Sequence, residues 1–350
     1  FLKALEDAQT VCGRTGWQPQ HLLLRGPDGE IDGCMPLYAK SHSKGEYIFD
    51  YGWADAYERA GGQYYPKLLS AVPFTPVPGR RLLTRPGPDA HERMRLLAAG
   101  SVELVDRLGL SSLHVNFSTE AEWDALAEMG FLKRTDQQFH WQNRGYGDFD
   151  DFLATLSSRK RKTMRKERRE AISEGLEVRW LTGAEITEAH WDAIYMFYME
   201  TGSRKWGRPY LNRTFFSLLG ERMAQDCLLI MVYREGREIA GALNLIGGDC
   251  LYGRYWGAIE HHPFLHFEVC YYQSIDYAIQ NKLARVEAGA QGEHKLARGY
   301  MPTPIYSAHW LPNPSFRRAV AAYLKDERDY VERARDALAE YAPYRRGPLG

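Results

Sequence analysis

Two stretches far apart in the chain follow one plan. Residues 21–40, "HLLLRGPDGEIDGCMPLYAK", set an apolar run, a Pro-Asp-Gly turn and a second run in succession. Residues 227–246, "CLLIMVYREGREIAGALNLI", repeat run, glycine turn and run. Turn chemistry of this kind between β-prone runs marks a hairpin. Both second strands open on E-I-x-G, with Glu30, Ile31 and Gly33 in one and Glu238, Ile239 and Gly241 in the other. Each hairpin is followed by an aromatic run expected as a strand, "EYIFDYGW" and "CLYGRYWG". A sheet-forming unit used twice restricts the chain to an internally duplicated architecture.

Helices fill the remainder of each copy. In the first, "HERMRLLAAGSVELVDRLG" reads as a helix, "SSLHVNF" as a buried strand and "TEAEWDALAEMG" as a helix with a capping box and a glycine stop. "FLKRTDQQFHWQN" alternates polar and apolar residues and is expected as a closing edge strand. The second copy opens on one long helix, "FDDFLATLSSRKRKTMRKERREAISEG". A strand "LEVRWL" follows, then a helical stretch over 185–224, the hairpin, and the helix "FEVCYYQSIDYAIQNKL". The strand "ARVEAGA" and a helical tail over 315–341 close the chain. Strands alternating with helices predict an α/β or α+β fold. The glycines of "NRGYGD" place a junction near residue 146, giving domains 1–145 and 146–350.

Charge excludes some partners. Lys and Arg number 45, as do Asp and Glu, so no global field draws the chain to nucleic acid or an anionic membrane, and any polyanion site must be local. The basic helix is such a place, because eight of the twelve residues in "SRKRKTMRKERR", 158–169, are Lys or Arg. Arg161, Lys162 and Arg165 are its expected phosphate contacts. No apolar run approaches the roughly 20 residues of a membrane span. Five widely spaced cysteines, without a C-x-x-C pair, point to a reducing cytoplasm rather than a disulfide framework.

The chemistry concentrates near the end of the second copy. "AGAQGEHKLARGY", 288–300, leaves the carboxyl end of a strand, where ligands of such sheets gather. Glu293 and His294 can exchange protons near neutral pH, while Lys295 and Arg298 bring positive charge for an oxyanion or phosphate. Upstream, Arg254, Tyr255 and Trp256 end the aromatic strand, and Glu268 stands in the first turn of the next helix. There the helix dipole should keep it ionised. Tyr271 and Tyr272 are expected in the core. His261, His262 and His266 do not form a metal set, because Pro263 breaks the turn that would align them. "QNRGYG", 142–147, matches the Q-x-x-G-x-G pattern of coenzyme A loops but falls at the junction and is read as chance.

Several stretches together resemble a bacterial family of N-acyltransferases labelled peptidoglycan biosynthesis/recognition and related to the FemAB peptidyltransferases. They are "GWQPQHLLL", "YGWADAYERAGGQYYPKLLSAVPFTPVPG", "FLATLSSRKRKTMRKERR", "GRYWGAIEHHPFLHFEVCYYQSIDYAI" and "GAQGEHKLARGYMPTPIYSAHW". The resemblance implies two tandem GNAT-like domains, each a mixed, mostly antiparallel sheet flanked by helices, and transfer of an acyl or aminoacyl group to an amine. It implies an acyl donor as co-substrate, aminoacyl-tRNA or acyl-CoA, with no tightly bound cofactor and no metal. The segment "AIEHHPFLH", at the usual pyrophosphate loop, has no glycine, which disfavours coenzyme A. Glu268, His294 and Lys295 are the expected catalytic residues. Arg254, Tyr255, Trp256, Glu293 and Arg298 are expected to contact substrate, and the basic helix to meet tRNA. The alternatives are an acyl-CoA- or acyl-carrier-dependent N-acetyltransferase, or a non-catalytic module recognising muropeptide or RNA.

Overall fold

The computed structural model describes residues 1–172, 175–205, 209–289 and 292–345, with 203–205 and 293 described in backbone only. Among the described residues fourteen strands form two sheets. In chain order they are β1 (Trp17–Pro19), β2 (Leu22–Arg25), β3 (Ile31–Met35), β4 (Tyr38–Lys40), β5 (Lys67–Ser70), β6 (Leu83–Thr84) and β7 (Leu113–Ser118). There follow β8 (Leu132–Gln142), β9 (Leu176–Thr182), β10 (Cys227–Arg234), β11 (Arg237–Gly247), β12 (Cys250–Ala258), β13 (Arg285–Glu287) and β14 (Met301–Trp310). Eleven of them build one sheet in the order β1-β4-β5-β7-β14-β8-β13-β12-β11-β10-β9, and β2-β3-β6 form a small second one.

The duplication is visible in the pairings. Each half contains one parallel pair, β5 with β7 and β12 with β13, joined through a helical crossover. Each half then sends its last strand to the other. β8 pairs with β13 of the C-terminal half, and β14 pairs with β7 of the N-terminal half. The two exchanged strands pair with each other, antiparallel, at the centre. The sheet is therefore continuous across the expected junction near residue 146.

Four expectations need correcting. The first hairpin is a long one that bends: β1 and β4 join the main sheet, while β2 and β3 leave it. Pro19 and Pro36 stand at the bend, where a residue without an N–H interrupts the ladder. "EYIFDYGW" is not a strand but a loop running into the helix Tyr51–Arg59; β5, only four residues long, takes the place in the sheet. β8 is central rather than an edge, so its polar residues Gln138 and His140 are buried. The long helix is two, Phe149–Ala154 and Ser158–Ala171.

Core packs on both faces. Trp141, Phe152, Met164, Tyr272 and Val286 belong to one cluster, and Trp17, Tyr38, Trp191 and Phe216 to another. The latter draws on both halves and ties them together. Among the described residues no helix is long and apolar enough to cross a membrane.

Candidate functional site

In the C-terminal half, β12 and β13 pair only through Cys250–Tyr252 and Arg285–Glu287, then part. A cavity of ≈ 130 Å³ lies there, lined by Asn244, Arg254, Tyr255, Trp256, Tyr271 and Ala288 among others. A bulge shapes its wall. Asn244 faces Gly253 while Leu243 faces Tyr255, leaving Arg254 as the extra residue of β12. Its guanidinium crosses to the N-terminal half and donates to the Phe74 carbonyl at 2.6 Å. Gly257 lets this strand approach the helix Glu188–Lys205, since a Cβ there would lie 2.0 Å from the Phe197 carbonyl oxygen.

The helical crossover supplies the opposite wall. Its first turn, Leu265–Phe267, widens into a π-helical turn, Glu268–Tyr272, before Gln273–Gln280 resumes the α-helix. Such turns recur at functional sites. Tyr271 is in the core as expected, 4 % exposed, and also lines the cavity, where its hydroxyl lies 2.9 Å from Nε2 of the exposed His294. The His266 and Phe267 rings surround that pair, with centroids 6.5 and 5.9 Å from His294. Gly292, at φ 123°, makes room, because a Cβ there would fall 2.6 Å from the His294 ring.

The other expected residues fall in three groups. Lys295 is buried and donates to the carbonyls of Ala288 at 2.6 Å and Gly289 at 3.0 Å, so it holds the loop at the cavity edge. Burial lowers its ammonium to about 8. Arg298 turns into the protein, donating to both Glu167 oxygens at 3.0 and 2.9 Å and stacking 3.5 Å over Phe267. Glu268 is 0 % exposed and does not line the cavity. Its carboxylate accepts from Arg168 at 3.0–3.2 Å and from Gln273 at 2.7 Å. Burial lifts this carboxyl and Arg168 opposes the lift. The side chain of Glu293 lies outside the described residues. On the basic helix, Arg165 pairs with Asp150 at 2.7 Å, whereas Arg161 and Lys162 make no ion pair among the described residues.

Two features escaped the reading of the sequence. Glu287, at the end of β13, is buried beside the cavity; a lone carboxylate inside "ARVEAGA" was its only signal. The N-terminal half holds a buried charge network. Lys67 donates to Glu46 and Ser43, each at 2.8 Å, and to Asp50, which also accepts from Tyr64 at 2.7 Å. Lys40 sits 3.8 Å from Glu46 and 3.6 Å over the Trp17 ring.

The two halves are not equivalent as sites. Where β5 leaves β7, the following segment fills the gap. Gly79 donates to the Phe117 carbonyl at 2.9 Å, and Arg81, 3 % exposed, donates to that of Asn116 at 3.0 Å. A larger cavity of ≈ 760 Å³ lies between the helices Tyr51–Arg59 and Pro314–Glu340, walled by Trp53, Tyr57, Phe316 and Tyr323. Among the described residues its one lining cation is Arg134, which is already bound to Glu327 at 2.7–2.8 Å. Among the described residues no group of three His, Cys, Asp or Glu could hold a metal ion.

A duplicated mixed sheet with a splayed parallel pair in each half is a tandem GNAT-like fold, here with a cavity in the C-terminal splay. The chain belongs to the FemAB-like family, described as peptidoglycan biosynthesis/recognition, whose profile matches residues 1–346. FemX shares the fold at a TM-score of 0.56 and 13% identity, with 90% of this chain and 93% of FemX covered. L-PGS from Bacillus licheniformis has the same TM-score at 8% identity, covering 92% and 94%. No curated protein matches the chain in sequence.

Proposed function

We propose that the chain is an N-acyltransferase of the aminoacyl-transferring kind, acting in cell-wall peptide metabolism, with its reaction centre in the C-terminal splay. The observation that carries this is the Tyr271–His294 pair, which joins the cavity to solvent through one 2.9 Å contact. Family membership supports the reaction class.

The amine nitrogen attacks the carbonyl carbon of the donor. A C–N bond forms, the bond from the acyl carbon to its carrier oxygen breaks, and the carrier leaves as an alcohol. Burial pushes the Tyr271 phenol above its usual range, so it keeps its proton at neutral pH. It takes the amine proton as its own passes to His294 Nε2, which later returns a proton to the leaving oxygen. Arg254, the extra residue of the bulge, faces the developing oxyanion. Trp256 offers its face to the acceptor or to an adenine ring. Lys295 keeps the loop in place, and Glu268 fixes the π turn through Arg168, so neither handles the proton.

A carrier RNA fits better than coenzyme A. At the helix start after β12, Leu265, Phe267 and Glu268 already give their N–H groups to the carbonyls of His262 and Phe264. A pyrophosphate would find few amides free there. The basic helix supplies phosphate contacts instead. Changing Arg161 and Lys162 to Gln should lower the slope of log affinity for tRNA against log salt by about 1.5. Filter binding over a salt series reads this, and an unchanged slope removes the helix from the interface.

The test of the whole reading pairs a UDP-linked muropeptide with aminoacyl-tRNA or with acyl-CoA. Amide product is expected from the first donor. Product from acyl-CoA alone overturns the donor assignment. Binding of muropeptide or RNA without product from either donor makes the chain a recognition module.

A further inference from the structure

Three buried side-chain atoms without a hydrogen-bond partner belong to residues at the β12–β13 splay: Glu287 Oε2, Arg254 Nε and Tyr255 Oη. Unpaired groups of this kind are rare in folded proteins, and each is costly if nothing else binds it. Glu287 is 4 % exposed. Its Oε1 takes the Arg285 Nε proton at 3.0 Å, the Cys250 thiol lies beside the carboxyl and lowers it, and Oε2 has no geometric hydrogen-bond partner. The His140 ring has its Nε2 3.9 Å away and is committed to Gln138 Oε1 at 3.1 Å. Burial lowers the His140 imidazole to about 4, so it stays neutral and supplies no cation.

The location ties these atoms to the cavity. Ala288, the next residue after Glu287, lines it together with Arg254 and Tyr255. A Cβ added to Gly253 would lie 3.6 Å from the Glu287 carbonyl and 3.7 Å from Ala288 Cα, so the walls touch here. One acceptor on one side and two donors on the other ask for a ligand with the reverse pattern. A primary ammonium beside a carbonyl has it.

We propose that Glu287 is the anionic half of an ammonium subsite, in which its Oε2 receives an N–H of the ligand while Arg254 and Tyr255 hold the neighbouring carbonyl oxygen. The group recognised is a 1,2-aminocarbonyl unit. It comes either from the α-amino end of the acyl donor or from the amine-bearing residue of the acceptor. The proposal deepens the reading of this cleft as the transfer site and rests on it.

The experiment compares L-alanine methyl ester, its N-acetyl derivative and n-butylamine binding to the full chain, by calorimetry or saturation-transfer NMR. Charge-assisted hydrogen bonds predict that N-acetylation weakens the ester by about 10-fold or more. Glu287→Gln should erase that preference, and Glu287→Asp should restore part of it. The wild-type comparison stands even if a variant folds poorly. Equal binding of the two esters, no saturable binding of either, or an unchanged preference in Glu287→Gln overturns the subsite. Butylamine binding as tightly as the ester would show that no neighbouring carbonyl is held and overturns the aminocarbonyl assignment; much weaker butylamine binding supports it. Transfer assays separate the two ideas. Product formed without an ester preference sinks the subsite alone, and an ester preference without product sinks the transferase alone.

Discussion

His294→Ala is expected to slow amide formation by about 10²- to 10⁴-fold, the usual range for loss of a positioned acid–base group. His294 is exposed, so the substitution should shift stability by no more than about 0.5 kcal/mol. Tyr271→Phe removes the hydroxyl through which the imidazole reaches the cavity and should fall in the same range. The double variant should be little worse than either single one, because the two act as one path. Single-turnover rates at saturating donor read the chemical step directly. If both single variants keep wild-type rates, the proton route lies elsewhere. If the double variant loses the product of two large effects, the groups act separately and the relay is wrong.

Lys67→Met should be the most damaging substitution to the fold. Its ammonium is 0 % exposed and is the common partner of Glu46 and Asp50. Removing it strands two carboxylates in the interior. Breaking a buried pair in this way costs about 3–5 kcal/mol, a large share of the 5–15 kcal/mol that holds a domain together. Burial by itself would lift the Asp50 carboxyl, yet Lys67 and His114 hold it well below its ordinary 3.8. A depressed carboxyl adds stability above its unfolded value and loses that contribution as the pH falls through the folded one. The acid limb of wild-type stability should therefore be steeper than that of Lys67→Met. Urea unfolding between neutral and acid pH reads both effects. A loss below about 1 kcal/mol would show that the network is not held by Lys67.

How much could be read without coordinates depends on where the information lay. Hairpins with glycine turns, the helix from Ala90 to Leu108 ending at Gly109, and the Thr119–Glu122 capping box were legible because short-range backbone chemistry fixes them. β14 was missed. "MPTPIYSAHW" carries two prolines, which argue against a central strand, yet Pro302 and Pro304 fall where β14 pairs only with β8. Their missing N–H groups are not required on the open side. β8 was misplaced for a related reason. Its alternating pattern looks like an edge, but Gln138 finds the Pro76 carbonyl at 2.8 Å and His140 finds Gln138. A partner 62 residues away, as Pro76 is from Gln138, leaves no local trace.

The site shows the same division. Arg254, Tyr255, Trp256 and His294 stood out because charge and aromatic residues next to glycines are conspicuous. Whether a conspicuous residue is open to a ligand depends on tertiary partners. Glu268 and Arg298 are taken by Arg168 and Glu167, both on the basic helix. The interior face of that helix is thus spent on holding the site together, a use that a count of positive charges does not reveal. Tyr271 belongs to the core, as the sequence suggested, and the π turn also gives it a place in the cavity wall, which the sequence did not disclose.

Strand exchange at the centre has a mechanical consequence. With β8 lodged beside β13 and β14 beside β7, the halves cannot gape like jaws around a bulky substrate without unzipping the middle of the main sheet. Admission must then be governed by loops and side chains at the rim, and the width of the slot is set when the chain folds. A carrier as large as tRNA would have to insert only its tip while its body rests outside, against the cations of Ser158–Ala171.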